Sequence, residues 1–426
     1  MSNIPIFLIT ILLYVVCARF SLSRSLPQNR SRLFAAGNIA TFGWLSLLTN
    51  FDEWRDMTIL GLGTGAVIRH VGLIGFYVLM VVVGFYLMRA FVRRGGWSWL
   101  AFFYPIAILI LIKYLHPLWN PLLKRLEWED WVITATIIGL SYMAFRLSYL
   151  VLEVRNGTAE MPTLSEYLGF AFFLPTLVVG PINPFSIHQS SVQIAGETSV
   201  QTGRCLLRII VGATKYLFLA NLANQLSYTG IFLDGKPHAI IDLVVAVVFY
   251  YLFLYCNFSG FCDMAIGVAG LIGVRVKENF NNPFAARNIK EFWNRWHITL
   301  SEYTRDVIFA PVSKFLIKNL GVKYTNFSIA AAILIVFLII GIWHGVGWRF
   351  AAFGLLHAVG IIANHFYTIR LKRTLGREGY KKYNENPLVN AAALVVTFGY
   401  VAASFVVFAN DRNMMGLIKN ALRAGL

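Results

Sequence analysis

Charged side chains are scarce in this chain of 426 residues. Asp, Glu, Lys and Arg make up 13% of it, whereas 58% is hydrophobic. A soluble globular domain usually carries about 25% charged residues and uses them to cover its surface. The scarcity therefore excludes an ordinary soluble protein and makes lipid the solvent for much of the chain.

Acidic residues are the scarcer sign, with 20 against 37 basic residues and a net charge of +17. In a soluble domain such an excess would indicate nucleic acid as a partner. Here the basic residues cluster between apolar runs, which is typical of membrane proteins. We therefore expect no nucleic acid, and anionic lipid headgroups or an anionic substrate stay open.

Cysteine and the common catalytic motifs are also poorly represented. The four cysteines show no CxxC spacing, so the sequence indicates neither a disulfide framework nor a zinc site. The histidines lack the i, i+4 spacing typical of zinc ligands, and we expect no metal. The chain has no HExxH, GxSxG or P-loop motif, which argues against the corresponding proteases, hydrolases and nucleotide-binding proteins.

Long apolar runs are what the chain has instead. Runs that could cross a bilayer need about 20 residues each, and they recur along the whole sequence. They predict an all-α polytopic membrane protein of about 11 transmembrane or re-entrant helices, forming one domain over residues 1–426. The predicted runs are roughly 4–20, 33–50, 70–90, 97–114, 131–152, 164–182, 205–225, 238–256, 326–343, 348–366 and 388–409.

Loop charges predict an orientation. Basic residues follow the first, third and tenth runs, whereas FDEWRD (51–56) after the second run is acidic. Because cytoplasmic loops carry the excess of Lys and Arg, we predict that the N-terminus lies outside. This puts His344, after the ninth run, toward the outer side and the stretch 288–307 toward the cytoplasm. The first run has no preceding basic region and indicates a retained helix rather than a signal peptide.

The stretch NIKEFWNRWHITLSEYTRDV (288–307) concentrates charge, indole and imidazole in one place. Asn288 and Glu291 have the spacing of a capping box, so we expect one amphipathic helix to begin there. Its apolar residues recur at helical spacing, and His297 lies at the edge of that stripe. Two interpretations stay open: an interfacial helix whose aromatics anchor at the headgroups, or part of a functional site.

Two further passages carry polar residues inside apolar segments. GIWHGVGWRFAAFGLLHAVG (341–360) contains His344 among glycines that permit close helix approach or a break. YCNFSGFCDMAIGVAGLIG (255–273) contains Asp263, which is either functional or paired with a basic neighbour. Just upstream of the charged stretch, Pro283 disfavours helix at Asn282 and predicts a turn.

These motifs, in this order, resemble the membrane-bound O-acyltransferase (MBOAT) family. The resemblance covers about residues 139–366 and includes GLSYMAFRLSYLVLEVRNG (139–157) and FLPTLVVGPI (173–182). Within the family the chain is most similar to the branch that D-alanylates teichoic acids. Arg305 and Asp306 are not followed by the Gly-Gly-Asn-Arg of polysaccharide acetylases, and Ala358 replaces a usual glycine, so the acyl group and the acceptor stay open.

The resemblance implies a ring of helices around a tunnel, with His344 as the catalytic histidine and His297 as its companion. It also implies a bacterial cell membrane, an acyl thioester on CoA or a carrier protein's phosphopantetheine arm as cytoplasmic donor, and no bound cofactor. An envelope polymer and an envelope-side partner would complete the transfer. Candidate residues for the oxyanion or the donor are Asn279, Trp293, Arg295, Trp296, Ser301, Arg305 and Trp343. Acetylation of a polysaccharide from acetyl-CoA, a transporter or flippase, and a scaffold stay as alternatives.

Overall fold

A computed structural model describes residues 4–23, 27–49, 64–115, 139–194, 200–234 and 236–424. Throughout these residues the regular structure is helical, and no β-strand occurs. The helices, numbered in chain order, are α1 Ile4–Ser23, α2 Pro27–Thr49, α3 Thr64–Phe91, α4 Ser98–Lys113, α5 Leu140–Asn156, α6 Leu164–Ala171, α7 Phe185–Ile194, α8 Thr202–Gln225, α9 Tyr228–Ile231, α10 Ile240–Ile272, α11 Ile289–Trp293, α12 Ile298–Thr304, α13 Ala310–Leu320, α14 Thr325–His344, α15 Trp348–Glu385, α16 Pro387–Ala409 and α17 Arg412–Ala424.

Six helical stretches of the described residues are long and apolar enough to cross a membrane, and α1 and α4 contain shorter apolar stretches. The predicted all-α polytopic architecture is therefore confirmed. The first part of the predicted run 131–152 and the acidic loop 51–56 lie outside the described residues. The six stretches are Ile74–Phe91, Thr202–Gln225, Ile240–Ile272, Val322–His344, Trp348–Glu385 and Pro387–Ala409.

The chain forms two compact units, and α8 and α10 contribute residues to both. Unit 1 comprises Met1–Ile210 and Asp263–Lys277, and unit 2 comprises Val211–Cys262 and Glu278–Leu426. The predicted histidines His297 and His344 both belong to unit 2. The single domain, the ring of helices and the tunnel stay predictions.

A buried arginine shapes the turn after α6 in unit 1. The Arg146 guanidinium donates to the carbonyl oxygens of Phe170 at 2.7 Å and Thr176 at 2.6 Å. A carbonyl that accepts from a side chain can end a helix without leaving its backbone unsatisfied. Pro175 also cannot continue a helical hydrogen-bond ladder. The predicted run 164–182 is therefore wrong as one span, since α6 ends at Ala171.

A buried carboxylate binds the backbone at the start of α7. Glu153 accepts from the backbone N–H of Phe185 at 2.6 Å and from the N–H and hydroxyl of Ser186. Helix N-termini expose unpaired N–H groups and favour negative charge, so this carboxylate stabilises the first turn. Arg146 and Glu153 thus organise the segment from 170 to 186.

Asp263 is paired in unit 1. The Arg208 side chain donates to its Oδ1 through Nε at 3.1 Å and Nη2 at 3.0 Å. Both residues lie on apolar helices, α8 and α10, where an unpaired charge is costly. A Cβ at Gly267 would come within 2.9 Å of the Cys205 carbonyl oxygen, so the two helices also approach closely there. Of the two interpretations of Asp263, the structure shows the ion pair.

Glycines also set the approach of α14 to α15 in unit 2. A Cβ added to Gly341 would lie 2.3 Å from the Phe350 carbonyl oxygen, and one on Gly354 would lie 2.2 Å from that of Phe337. Backbone atoms cannot move away as a flexible side chain can, so both positions need glycine. The predicted close approach at the 341–360 passage is therefore confirmed.

The long helix α15 bends back at Gly376, whose φ of 64° and ψ of −174° are not helical. Tyr367 and Tyr383 hydrogen-bond through their hydroxyl oxygens at 2.8 Å. Sixteen residues of straight helix would separate them by about 24 Å. The α15 helix therefore consists of a long segment 348–375 and a return segment 377–385.

We predict that Arg208→Leu destabilises the protein by about 3 kcal/mol, because it leaves the Asp263 charge without its partner in an apolar region. The measurement is thermal unfolding of the purified protein in detergent. The double variant Arg208→Leu with Asp263→Leu should recover most of the loss, since no charge then remains. If the double variant loses as much stability as the Arg208→Leu variant, or more, the two side chains are not energetically coupled.

Candidate active site

The stretch 288–307 is two short helices and not the single helix that its periodicity predicts. Asn288 caps α11 by accepting from the Glu291 N–H at 2.9 Å, as expected, but α11 ends at Trp293. The helix α12 begins at Ile298, and His297 between them has φ 47° and ψ 50°. This left-handed conformation is uncommon outside glycine and persists where the surroundings impose it.

Backbone pairing with the preceding loop imposes that break. The N–H of Asn281 donates to the Arg295 carbonyl at 2.9 Å, and the N–H of Ile298 donates to the Asn279 carbonyl at 3.0 Å. The buried Asn279 side chain also accepts from the N–H and hydroxyl of Thr299, at 3.2 and 2.9 Å. These groups are thereby satisfied outside a continuous helix. Asn279 fixes the start of α12; its predicted role as an oxyanion donor stays a prediction.

The aromatic residues of the stretch are buried in the protein. Phe292, Trp293 and Trp296 are each less than 8% exposed. The Trp296 ring stacks on Phe292 at 5.6 Å and meets Phe280 edge-on at 5.0 Å. Aromatics that anchor at headgroups would face the bilayer surface, so the interfacial-anchor interpretation is wrong. Trp296 is part of the core of unit 2.

His297 is 2% exposed and lies among aromatic rings. Its ring meets Phe258 edge-on at 4.7 Å and lies 6.2 Å from the Trp343 ring. Burial lowers its pKa well below the usual 6.5, and nearby His344 lowers it further, so the imidazole is neutral at neutral pH. Its Nε2 has no hydrogen-bond partner in the described part of the chain. Most buried polar side-chain atoms in proteins are hydrogen-bonded, so this exception requires an explanation.

His344 occupies the last position of α14, next to the same indole. Its ring lies 4.7 Å from the Trp343 ring and 5.2 Å from the Phe408 ring. A Cβ at Gly345 would lie 2.2 Å from the Phe350 ring, so glycine there lets the chain turn directly after the histidine. The two histidines, 47 positions apart in sequence, thus both lie against Trp343 within unit 2.

A cavity of about 1030 Å³ in unit 2 is walled by α11, α12, α14 and α15. Its apolar wall includes Phe337 and Ile340, and Trp293 also lines it. Its charged side chains are the basic Lys290, Arg305 and Lys372 and the acidic Glu302. The cavity therefore combines apolar walls with an excess of basic side chains.

The remaining predicted polar residues differ in whether they line this cavity and in the groups that they bind. Ser301 lines it and donates to the Trp293 carbonyl at 3.0 Å. Arg305 lines it with a largely exposed side chain, 3.0 Å from Asp306. Arg295 is absent from its walls and is held by Glu291 at 2.9 Å and by the Asn281 carbonyl. Ser301 and Arg305, rather than Arg295, therefore face the cavity.

Among the described residues, no group of three or more His, Cys, Asp or Glu could hold a metal ion.

The sequence profile of the membrane-bound O-acyltransferase family matches residues 97–384. The chain belongs to this family. The match exceeds the region 139–366 over which the motifs resemble it, and it identifies the protein as a multi-pass membrane acyltransferase.

Three relatives of the chain are named for related activities. The chain is similar to the teichoic acid D-alanyltransferase of Streptococcus thermophilus, with 29% identity over 81% of this chain and 83% of that protein. It is 30% identical to the peptidoglycan O-acetyltransferase of Helicobacter pylori over 62% of this chain and 48% of that protein. It is 29% identical to the probable alginate O-acetylase AlgI of Azotobacter vinelandii over 56% and 46%, respectively.

His357 is a polar residue of this acyltransferase to which sequence reasoning assigned no role. It is fully buried, and its Nδ1 accepts from the Trp293 indole N–H at 3.1 Å. The ring proton therefore resides on Nε2, which donates to the Ser404 hydroxyl at 2.9 Å, and Ser404 donates to the Val401 carbonyl. This chain of bonds joins α11, α15 and α16. A histidine inside an apolar run was the available signal.

We predict that Trp293→Phe destabilises the acyltransferase by about 1–3 kcal/mol, because it leaves the buried Nδ1 of His357 without a donor. The phenyl ring retains part of the contact with Phe337, at 4.9 Å in the native protein. Thermal unfolding in detergent measures the change. The matched control is Trp97→Phe, whose indole is 62% exposed and should have little effect. Equal stabilities of both variants would contradict the assigned bond.

Proposed function

We propose that the protein transfers a small acyl group from a thioester to a hydroxyl of a cell-envelope polymer, with His344 as the general base. The Nε2 or Nδ1 of neutral His344 takes the hydroxyl proton while the oxygen attacks the thioester carbonyl. The C–S bond then breaks, an ester forms, and the proton leaves with the thiolate. No covalent acyl-enzyme is needed.

The observation that carries this proposal is the meeting of His297 and His344 at one indole, with ring distances of 6.2 and 4.7 Å to Trp343. These two residues, 47 positions apart in sequence, come together in a chain of the membrane-bound O-acyltransferase family. A base and a second polar group at one apolar site are what acyl transfer requires. The buried Nε2 of His297 makes no hydrogen bond to the described residues, which leaves it available to a substrate.

His297 is proposed to stabilise the oxyanion that develops on the thioester carbonyl. Its left-handed backbone conformation and the rings around it set the position of the imidazole before the substrate binds. Pre-positioned donors in a water-poor site stabilise developing charge strongly. The indole N–H of Trp343 and the amide of Asn279 are proposed as weaker contributors.

The thioester donor is proposed to enter the cavity lined by Trp293, Ser301 and Arg305. A phosphopantetheine arm has an extended chain with phosphate at one end, which suits a cavity with apolar and basic walls. Lys290 and Lys372 would share the phosphate contact. The loop charges support a cytoplasmic donor side, with the N-terminus and the acceptor outside. The donor is a co-substrate, and we propose no bound cofactor.

D-alanyl is the acyl group that the comparisons favour. The match to the teichoic acid D-alanyltransferase covers 83% of that protein, whereas the matches to the two acetylating relatives cover 48% and 46% of theirs. We therefore propose a carrier-protein thioester as donor and a teichoic-acid-type polymer as final acceptor, with an envelope-side partner. Acetyl transfer from acetyl-CoA is the second candidate.

We predict that His344→Ala lowers acyl transfer by at least about 100-fold and that His297→Ala lowers it by about 100-fold, as expected for loss of a general base or an oxyanion donor. The assay uses purified protein in proteoliposomes with labelled thioester donor and a hydroxyl acceptor. His238→Ala is the matched control, because the His238 ring hydrogen-bonds to Asp234 and Asp242, outside the site. All variants should keep their unfolding temperatures.

Full transfer by a folded His344→Ala variant would refute the base assignment. A comparison of carrier-protein and CoA thioesters decides the donor, and preference for acetyl-CoA would select the polysaccharide acetylase alternative. Movement of substrate across the vesicle without acylation would favour a transporter.

A further inference from the structure

A second cavity of about 640 Å³ lies in unit 2, between the two segments of α15, helix α16 and the start of α11. It shares Asn288, Asn364, Thr368 and Tyr380 with the larger cavity as wall residues. Neither Trp293 nor Ser301 lines it. The second cavity therefore has no role in the proposed acyl transfer.

The walls of the second cavity are amphipathic. Helix α16 contributes small apolar side chains, among them Ala392, Ala393 and Val396. The opposite walls are polar and include Arg287 and the hydroxyl-bearing Tyr383. A cavity of several hundred Å³ with one apolar and one polar wall fits a molecule with a chain and a headgroup.

The neighbouring surface of α16 is apolar and exposed. Leu388, Val395 and Val396 are 79, 73 and 69% exposed, on a helix long and apolar enough to cross a membrane. Lipid chains must therefore cover this surface in the membrane. Because Val396 also lines the cavity, a lipid chain can reach it from the bilayer.

The segment that contributes Tyr380 and Tyr383 to the cavity wall is strongly basic. Residues 370–385 contain six basic and two acidic side chains. Lys381–Glu385 and Lys382–Glu378 are each 3.9 Å apart with all four side chains mostly exposed, and such contacts neutralise little. Arg287 adds a further cation at the cavity wall, although it shares Glu291 at 3.5 Å. Basic clusters beside a membrane helix attract anionic lipids.

We propose that this cavity is a binding site for one anionic phospholipid of the membrane. Its acyl chain lies along Ala393 and Val396, and its phosphate meets Arg287 and the basic face of the return segment 377–385. The bend at Gly376 forms the site, since it brings Tyr383 back to Tyr367 and thereby places the basic segment beside the cavity.

The test uses the full chain purified in detergent and reconstituted in nanodiscs of phosphatidylcholine with or without phosphatidylglycerol. Native mass spectrometry counts the lipids retained after release. The wild-type protein should retain one phosphatidylglycerol in preference to phosphatidylcholine. Ala393→Trp, which fills the cavity, should lower that occupancy at least tenfold.

Val395→Trp is the matched control, because Val395 is on the same helix but outside the cavity lining and 73% exposed. It should retain the lipid as the wild type does. Arg287→Gln, which keeps the cavity open, should reduce the preference for phosphatidylglycerol over phosphatidylcholine and covers the case in which Ala393→Trp does not fold.

Equal retention of the two lipids by the wild type would overturn the proposal, as would full retention by a folded Ala393→Trp variant. An unchanged headgroup preference in Arg287→Gln would overturn the phosphate assignment. Lipid retention is measured without acyl transfer, so these outcomes do not depend on whether His344 is the base.

Discussion

The pairing of the loop around Asn279 with the start of α12 is the constraint on which the site depends. Asn279 supplies its carbonyl to Ile298 and its side chain to Thr299, so the residue just before them cannot adopt a helical conformation. That residue is His297. Its left-handed backbone turns the imidazole toward Phe258 and Trp343 and away from the helix surface. Local bonding in the loop thus determines where a buried imidazole stands.

The same requirement, that buried polar groups be satisfied, explains most charges in the apolar parts of the molecule. Arg146 binds carbonyl groups of the turn after α6, Glu153 caps α7, and Arg208 pairs with Asp263. Each lies where water is scarce and an unmatched charge would be costly. These residues stabilise the backbone of unit 1. Charge in an apolar segment therefore does not by itself identify a reacting group.

Helix α15 contacts several parts of unit 2. Its glycine at 354 lets it approach α14 near His344, and His357 one turn on binds Trp293, which lines the larger cavity. Farther along, the bend at Gly376 forms the wall of the second cavity. Since one helix carries all these contacts, packing around His357 links the position of Trp293 to the position of α16 through Ser404.

The all-α membrane class and the family follow from the sequence, because apolar runs and motif order can be read in it directly, and the same motifs single out His297 and His344 as candidates. The sequence also determined the cap at Asn288 and the turn at Pro283, which depend on local chemistry. The break of the stretch 288–307 at His297, the burial of its aromatics and the end of the helix inside 164–182 are visible only in the folded protein. Each of these depends on a hydrogen bond or ring contact from a distant segment, Asn279, Phe280 or Arg146, that helical periodicity cannot register. The bend at Gly376 belongs to the same class, since the contact between Tyr367 and Tyr383 decides it.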